Sequence, residues 1–134
     1  SLYIADTLNH RILGYRDVRS VSLGQPADIV IGQVSLDRSI PNSPNGRLTA
    51  PSQEGLLLPH AVAVDSRGDL WVADSGNGRV LRFPRPFATP GPARANLVIG
   101  QPNFSLRITD PTPRNMNFPV GLAFTTGGHL LVSD

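Results

Sequence analysis

Cysteine is absent from the chain, which excludes disulfides and thiolate metal sites. Lysine is absent too: all 12 basic residues are arginine, scattered along the sequence, and the formal net charge is only +2. A charge so small and so dispersed gives no electrostatic footprint for nucleic acid. The aromatic residues are five Phe, two Tyr and one Trp, most of them on expected strands, so no stacking face for single-stranded RNA is at hand. Glu54 is the single glutamate, which excludes a glutamate pair for acid–base work. No apolar run is long enough for a membrane-spanning helix. No glycine-rich phosphate loop and no Ser/His/Asp context occurs. No cofactor, nucleic acid or membrane partner is therefore expected. Glycine and proline, 13 of each among 134 residues, are plentiful and fit many short strands joined by turns.

What is present is a repeat. Leu2-Tyr3-Ile4-Ala5-Asp6 with Asn9-x-Arg11 recurs as Leu70-Trp71-Val72-Ala73-Asp74 with Asn77-x-Arg79. The match runs without a gap to Val30-Ile31-Gly32-Gln33 and Val98-Ile99-Gly100-Gln101, with 11 identities over 32 positions. A third, partial copy is Leu130-Leu131-Val132-Ser133-Asp134, so the copies start at Leu2, Leu70 and Leu130. Self-similarity at such spacing marks an architecture whose units bury their apolar surface only against neighbours.

The apolar period is two rather than 3.6, which marks strands. Residues 60–65 and 70–74 flank Ser66-Arg67-Gly68-Asp69, a hairpin connection that needs one residue at positive φ, and Thr126-Gly127-Gly128 does the same in the next copy. Each unit reads as four antiparallel strands, denoted A to D. In chain order they are B-C-D at 2–6, 11–15 and 28–32, then A-B-C-D at 60–65, 70–74, 79–83 and 96–100, then A-B at 120–125 and 130–134. Both faces of these strands are apolar, as in a sheet stacked between other sheets, so the expected class is all-β, with about two β-propeller blades per chain.

Pro59-His60-Ala61-Val62-Ala63-Val64-Asp65, then Gly68-Asp69-Leu70-Trp71-Val72-Ala73-Asp74, then Asn77-Gly78-Arg79-Val80 resembles the NHL repeat, the blade of six-bladed β-propellers. The resemblance implies B-C-D of one blade at 2–33, A-B-C-D of a second at 59–101 and A-B of a third at 118–134. Because the first and third copies stand two repeat lengths apart, residues 1–6 and 129–134 occupy equivalent places. The chain is then two blades plus a six-residue overlap. Two blades do not close a ring, so the expected partners are the remaining blades of a longer parent chain or further copies assembling as a trimer. The implied function is a non-catalytic scaffold that presents its D–A and B–C loops to a protein, peptide or glycan. The alternative is a metal-dependent lyase or hydrolase working in the propeller channel.

Seven residues are candidates for the ligand face. Asn9, Arg11, Asn77 and Arg79 belong to the repeated Asp-x-x-Asn-x-Arg, whose other role is to hold its own turn, with Asn in the left-handed position. Gln33 and Gln101 end strand D, able to bond either a ligand or loop backbone. His60 starts strand A, the innermost strand, and matches the place from which NHL-like peptide-amidating lyases take zinc-binding histidines of alternate blades. Zinc needs three or more converging donors, and the next blade has Val120 at this position, so no metal site is expected from one chain. His10 and His129 read as solvent-exposed turn residues. The longer D–A loop, 34–57, reads as an irregular excursion; residues 38–55, with almost no apolar anchor, are expected to be the most mobile or most variable segment and to tolerate a deletion of about eight residues.

Overall fold

The computed structural model describes all 134 residues. Nine strands form three antiparallel sheets, and there is no α-helix. The first sheet has the order β1 (Leu2–Asp6), β2 (Arg11–Tyr15), β3 (Ile29–Ile31). The second is β4 (Pro59–Val64), β5 (Leu70–Asp74), β6 (Arg79–Phe83), β7 (Leu97–Ile99). The third is the hairpin β8 (Gly121–Phe124) and β9 (Leu130–Ser133). All nine lie within two residues of the spans expected from the sequence. Sheets of three, four and two strands in this serial arrangement are those of propeller blades.

The pairing registers repeat with the sequence. Asp6 faces Arg11 across β1–β2, and Asp74 faces Arg79 across β5–β6. The hairpin between β4 and β5 is closed by Asp65, whose carboxylate accepts the Arg67 and Asp69 amides and the Trp71 indole N–H. Gly68 takes the positive φ that this connection requires, at 85°.

The core lies between the first two sheets. Ile12 and Ile31 from one meet Leu70, Val72, Leu81 and Phe83 from the other, with Leu56 and Ala95 completing the cluster. Alternation along β5 sends Trp71 the other way, edge-on to Phe124 of the third sheet at 5.9 Å. Sheets are thus stacked face to face, which is why both faces of each strand are apolar. Leu2 and Ile4 hold the places of Leu70 and Val72, yet are 36% and 41% exposed where the latter are fully buried.

Two further bonds tie each unit to the next. Thr7 Oγ1 donates to the Pro59 carbonyl at 2.8 Å, and Ser75 Oγ donates to the Pro119 carbonyl. In both, the hydroxyl of the turn after strand B grips the chain where the following strand A begins.

Candidate functional site

The connection between strands B and C is a 3-10 turn, Thr7–Asn9 in one sheet and Ser75–Asn77 in the other. Here the left-handed position differs from expectation. It falls not on the Asn but on the next residue, His10 at φ 54° and Gly78 at φ 61°. The Asn stays inside the turn because its side chain is needed behind it. Asn9 Nδ2 donates to Asp6 Oδ1 at 2.9 Å, and Asn77 Nδ2 donates to Asp74 Oδ2 at 2.8 Å.

The arginines complete the motif. Arg11 Nε and Arg79 Nε each donate to the Asp at 2.7 Å. Their remaining N–H groups reach the following D–A loop, Arg11 to the Leu36 carbonyl and Arg79 to that of Phe104, the equivalent position in the next repeat. Arg79 also donates to the carbonyls of Ser52 at 2.9 Å and Gly55 at 3.2 Å, from the preceding loop. Asp74 accepts the Leu57 amide at 2.7 Å on its other oxygen. Asn77 exchanges bonds with Asn42. All three side chains of the second motif are fully buried, so Asn77 and Arg79 present no donor to solvent.

The two glutamines do one job twice. Gln33 Nε2 donates to the His10 carbonyl at 3.0 Å and the Ile40 carbonyl at 2.8 Å, while its Oε1 accepts the Ile40 amide at 3.0 Å. Gln101 makes the same set with Gly78 and Ile108, at 3.0, 3.2 and 2.7 Å. Each glutamine staples the B–C turn to the start of the D–A loop. The preceding glycines, Gly32 and Gly100, have φ of 92° and 86° and leave room for Leu56 and Met116, which a Cβ would meet at 2.8 and 2.6 Å. The Gly-Gln ending of strand D is therefore a bend and a loop clamp in succession, preceded in the first sheet by the core residue Ile31 and in the second by the exposed Ile99.

The long D–A loop is not slack, contrary to the sequence expectation. Within 38–55, Asn42 and Ser43 are buried, and Leu56 and Leu57 just beyond it are buried as well. The Asn42 amide bonds the Leu56 carbonyl at 2.8 Å, and its side chain caps the Arg47 carbonyl at 3.0 Å. The apolar run Leu56-Leu57-Leu58 was the available signal. The Asn42–Asn77 pair had none, because its partners lie far apart in the chain, on different units.

His10 also departs from expectation. It is half-buried, and its Nδ1 accepts the Leu58 amide at 3.1 Å, so it latches the first sheet to the chain entering β4. Leu58 is itself at φ 49°, and its carbonyl meets His60 Nδ1 at 2.9 Å. His60 is exposed, with its ring edge on Phe118 at 5.1 Å, and His129 is an exposed turn residue. No three His, Asp or Glu side chains are grouped to hold a metal ion, so the channel-zinc arrangement is not built within this chain.

Burial lowers the His10 pKa below its ordinary value, against the opposing pull of the Asp74 carboxylate. The neutral ring is the form that accepts the Leu58 amide. A depressed folded pKa means that this stabilisation is complete above the unfolded value of about 6.5 and is lost as pH falls through the folded value. Thermal melts followed from neutral to mildly acidic pH are expected to fall less steeply in His10→Asn, which tolerates the left-handed backbone without titrating. Parallel pH profiles in the two proteins would refute the latch.

Among known families, residues 56–83 match the family model of the NHL repeat. No curated protein matches the chain. The matched stretch covers strands β4 to β6 with the buried Asp74–Asn77–Arg79 turn, so this unit of the chain is an NHL repeat.

Proposed function

We propose that this chain is a non-catalytic interaction module of an NHL-type β-propeller, which presents its D–A and B–C loops to a protein, peptide or glycan. One observation carries the reading: the polar side chains behind these loops are committed to fixing them. Gln33, Gln101, Arg11, Asn77 and Arg79 bond loop or turn atoms, and Asn9 holds its own turn through the Asp6 carboxylate. Held this way, the loops offer a preorganised surface that loses little entropy on binding. Contact then falls to the exposed loop side chains such as Arg38, Arg47 and Leu48, with the clamps acting behind them. His60 belongs to the channel wall in this reading.

The faces bearing Leu2, Ile4 and Leu131 are covered by further blades in the assembled propeller, from the same polypeptide or from copies of the chain. The equivalents of Leu2 and Ile4 in the second sheet are buried against the first, at about 25 cal/mol per Å² of apolar surface removed from water. Light scattering that finds a monodisperse monomer would reject self-assembly.

The loop reading is tested by screening the chain on glycan and peptide arrays, then repeating with Arg38→Ala/Arg47→Ala/Leu48→Ala. The triple variant is expected to keep its melting temperature and to lose at least tenfold in affinity for any hit. Hits that survive the triple variant unchanged would sink the proposed surface.

A further inference from the structure

A cavity of about 400 Å³ runs beside β3, on the outer rim of the first sheet, and none of Arg38, Arg47 and Leu48 lines it. Five consecutive residues, 30–34, form one wall. Of the five, Val30 and Ile31 belong to β3, and successive side chains of a strand point to opposite faces, so a cavity touched by both lies along the strand's edge rather than over either face. That edge is the open one, since β3 pairs only with β2. An open edge carries a row of unpaired main-chain donors and acceptors.

The opposite wall is supplied by Pro44 of the long D–A loop and by Pro92 and Ala93 of the second sheet's C–D connection. Prolines have no amide N–H, so this wall competes little for those main-chain groups. Ser43, on the same wall, has the one buried side-chain hydroxyl in the chain without a hydrogen-bond partner. Glu54 is the only ionisable group lining the cavity. It faces Arg94 at 3.0 Å, but that pair is solvent-exposed and hence weakly held.

We propose that this groove takes a short extended peptide, rich in β-branched apolar residues and carrying one basic residue, which adds as a strand to β3. Main-chain bonds to the edge supply affinity, alternate apolar side chains fill the space against Pro44, Pro92 and Ala93, and the basic residue meets Glu54. The cavity volume lies in the range of sites that take small ligands. The inference does not depend on the loop reading, because none of its residues is among those varied there.

The test uses the intact chain and the peptide acetyl-Val-Lys-Val-Thr-Val-amide, followed by amide chemical shifts. Perturbations are expected to centre on residues 29–34. Two further probes carry N-methyl groups on alternate amides. Strand pairing uses one alternate set only, so one probe should lose at least tenfold in affinity and the other should retain it. Glu54→Lys should weaken the lysine peptide at least fivefold and favour its glutamate counterpart. Equal binding of both methylated probes would mean an apolar pocket and overturn the proposal. Shifts that map elsewhere, no binding at millimolar peptide, or a concentration-dependent dimer formed through β3 in place of peptide binding would each do the same.

Discussion

Arg79→Ala is expected to remove about 3–5 kcal/mol of stability, the usual result of stripping one partner from a buried ion pair. The cost does not come mainly from the lost attraction. It comes from what remains: the Asp74 carboxylate, fully buried with Arg79, and the carbonyls of Ser52, Gly55 and Phe104 that the guanidinium satisfies. Arg11→Ala is the internal control, since it holds the same register position in the first sheet. There the Arg11 and Asp6 side chains keep 17% and 25% exposure, so water replaces the lost donor and the cost should be about 1 kcal/mol. Arg79→Lys should fall between them, because an ammonium keeps the charge but lacks the fork that reaches three directions. Thermal unfolding by circular dichroism measures all three. An Arg79→Ala protein that melts at nearly the same temperature as Arg11→Ala would show that burial does not set the difference.

The contrast between the two motifs explains the repeat in physical terms. Sequence places Asp, Asn and Arg at the same spacing twice, and local geometry follows each time: the same 3-10 turn, the same 2.7 Å ion pair. What differs is the neighbouring loop. Residues 52–57 close over the second motif, and they do so tightly enough that a Cβ on Gly76 would meet the Leu57 carbonyl oxygen at 2.7 Å. The first motif has Leu8 in that place, 82% exposed. One local device is therefore a modest surface pair or a buried hub according to what packs on it.

The strands were legible because two signals agreed: period-two patterning and a repeat that fixed each boundary twice. The glutamine clamps were half legible. Gln33 and Gln101 stand out by recurrence, but bonding to a ligand and bonding to loop backbone have the same sequence signature. The left-handed residue lies one position beyond its expected place because a 3-10 turn consumes an extra residue that a two-residue turn does not. The role of His10 has no local signal at all. Its partner Leu58 is distant in the chain, and only stacking of the two sheets brings them together. The long loop differs from expectation for the same reason, since composition reports how a segment behaves alone, whereas Asn42 is held by Asn77 from another unit.

Deleting residues 48–55 should therefore unfold the chain or cost as much as Arg79→Ala, even though the loop is surplus by length. The corresponding connection in the next unit is eight residues shorter, so length itself is dispensable to the architecture. The shorter loop is pinned by its own means, with Asn115 Nδ2 donating to the carbonyls of Ile108 and Asp110. The longer loop uses Ser52 and Gly55 as acceptors for a buried guanidinium and positions Leu56 in the core. Removing 48–55 leaves Arg79 short of two acceptors in a dry site, and it draws Leu56 away from Ile12 and Ile31. Leu56→Ala isolates the second effect and should cost about 2–5 kcal/mol, as large-to-small core changes do. Asn45→Ala, at the exposed tip, should stay within about 0.5 kcal/mol. Chemical denaturation of the three variants separates the contributions. A deletion variant that unfolds cooperatively at the parent's midpoint would show that the loop rests on the sheets without supporting them.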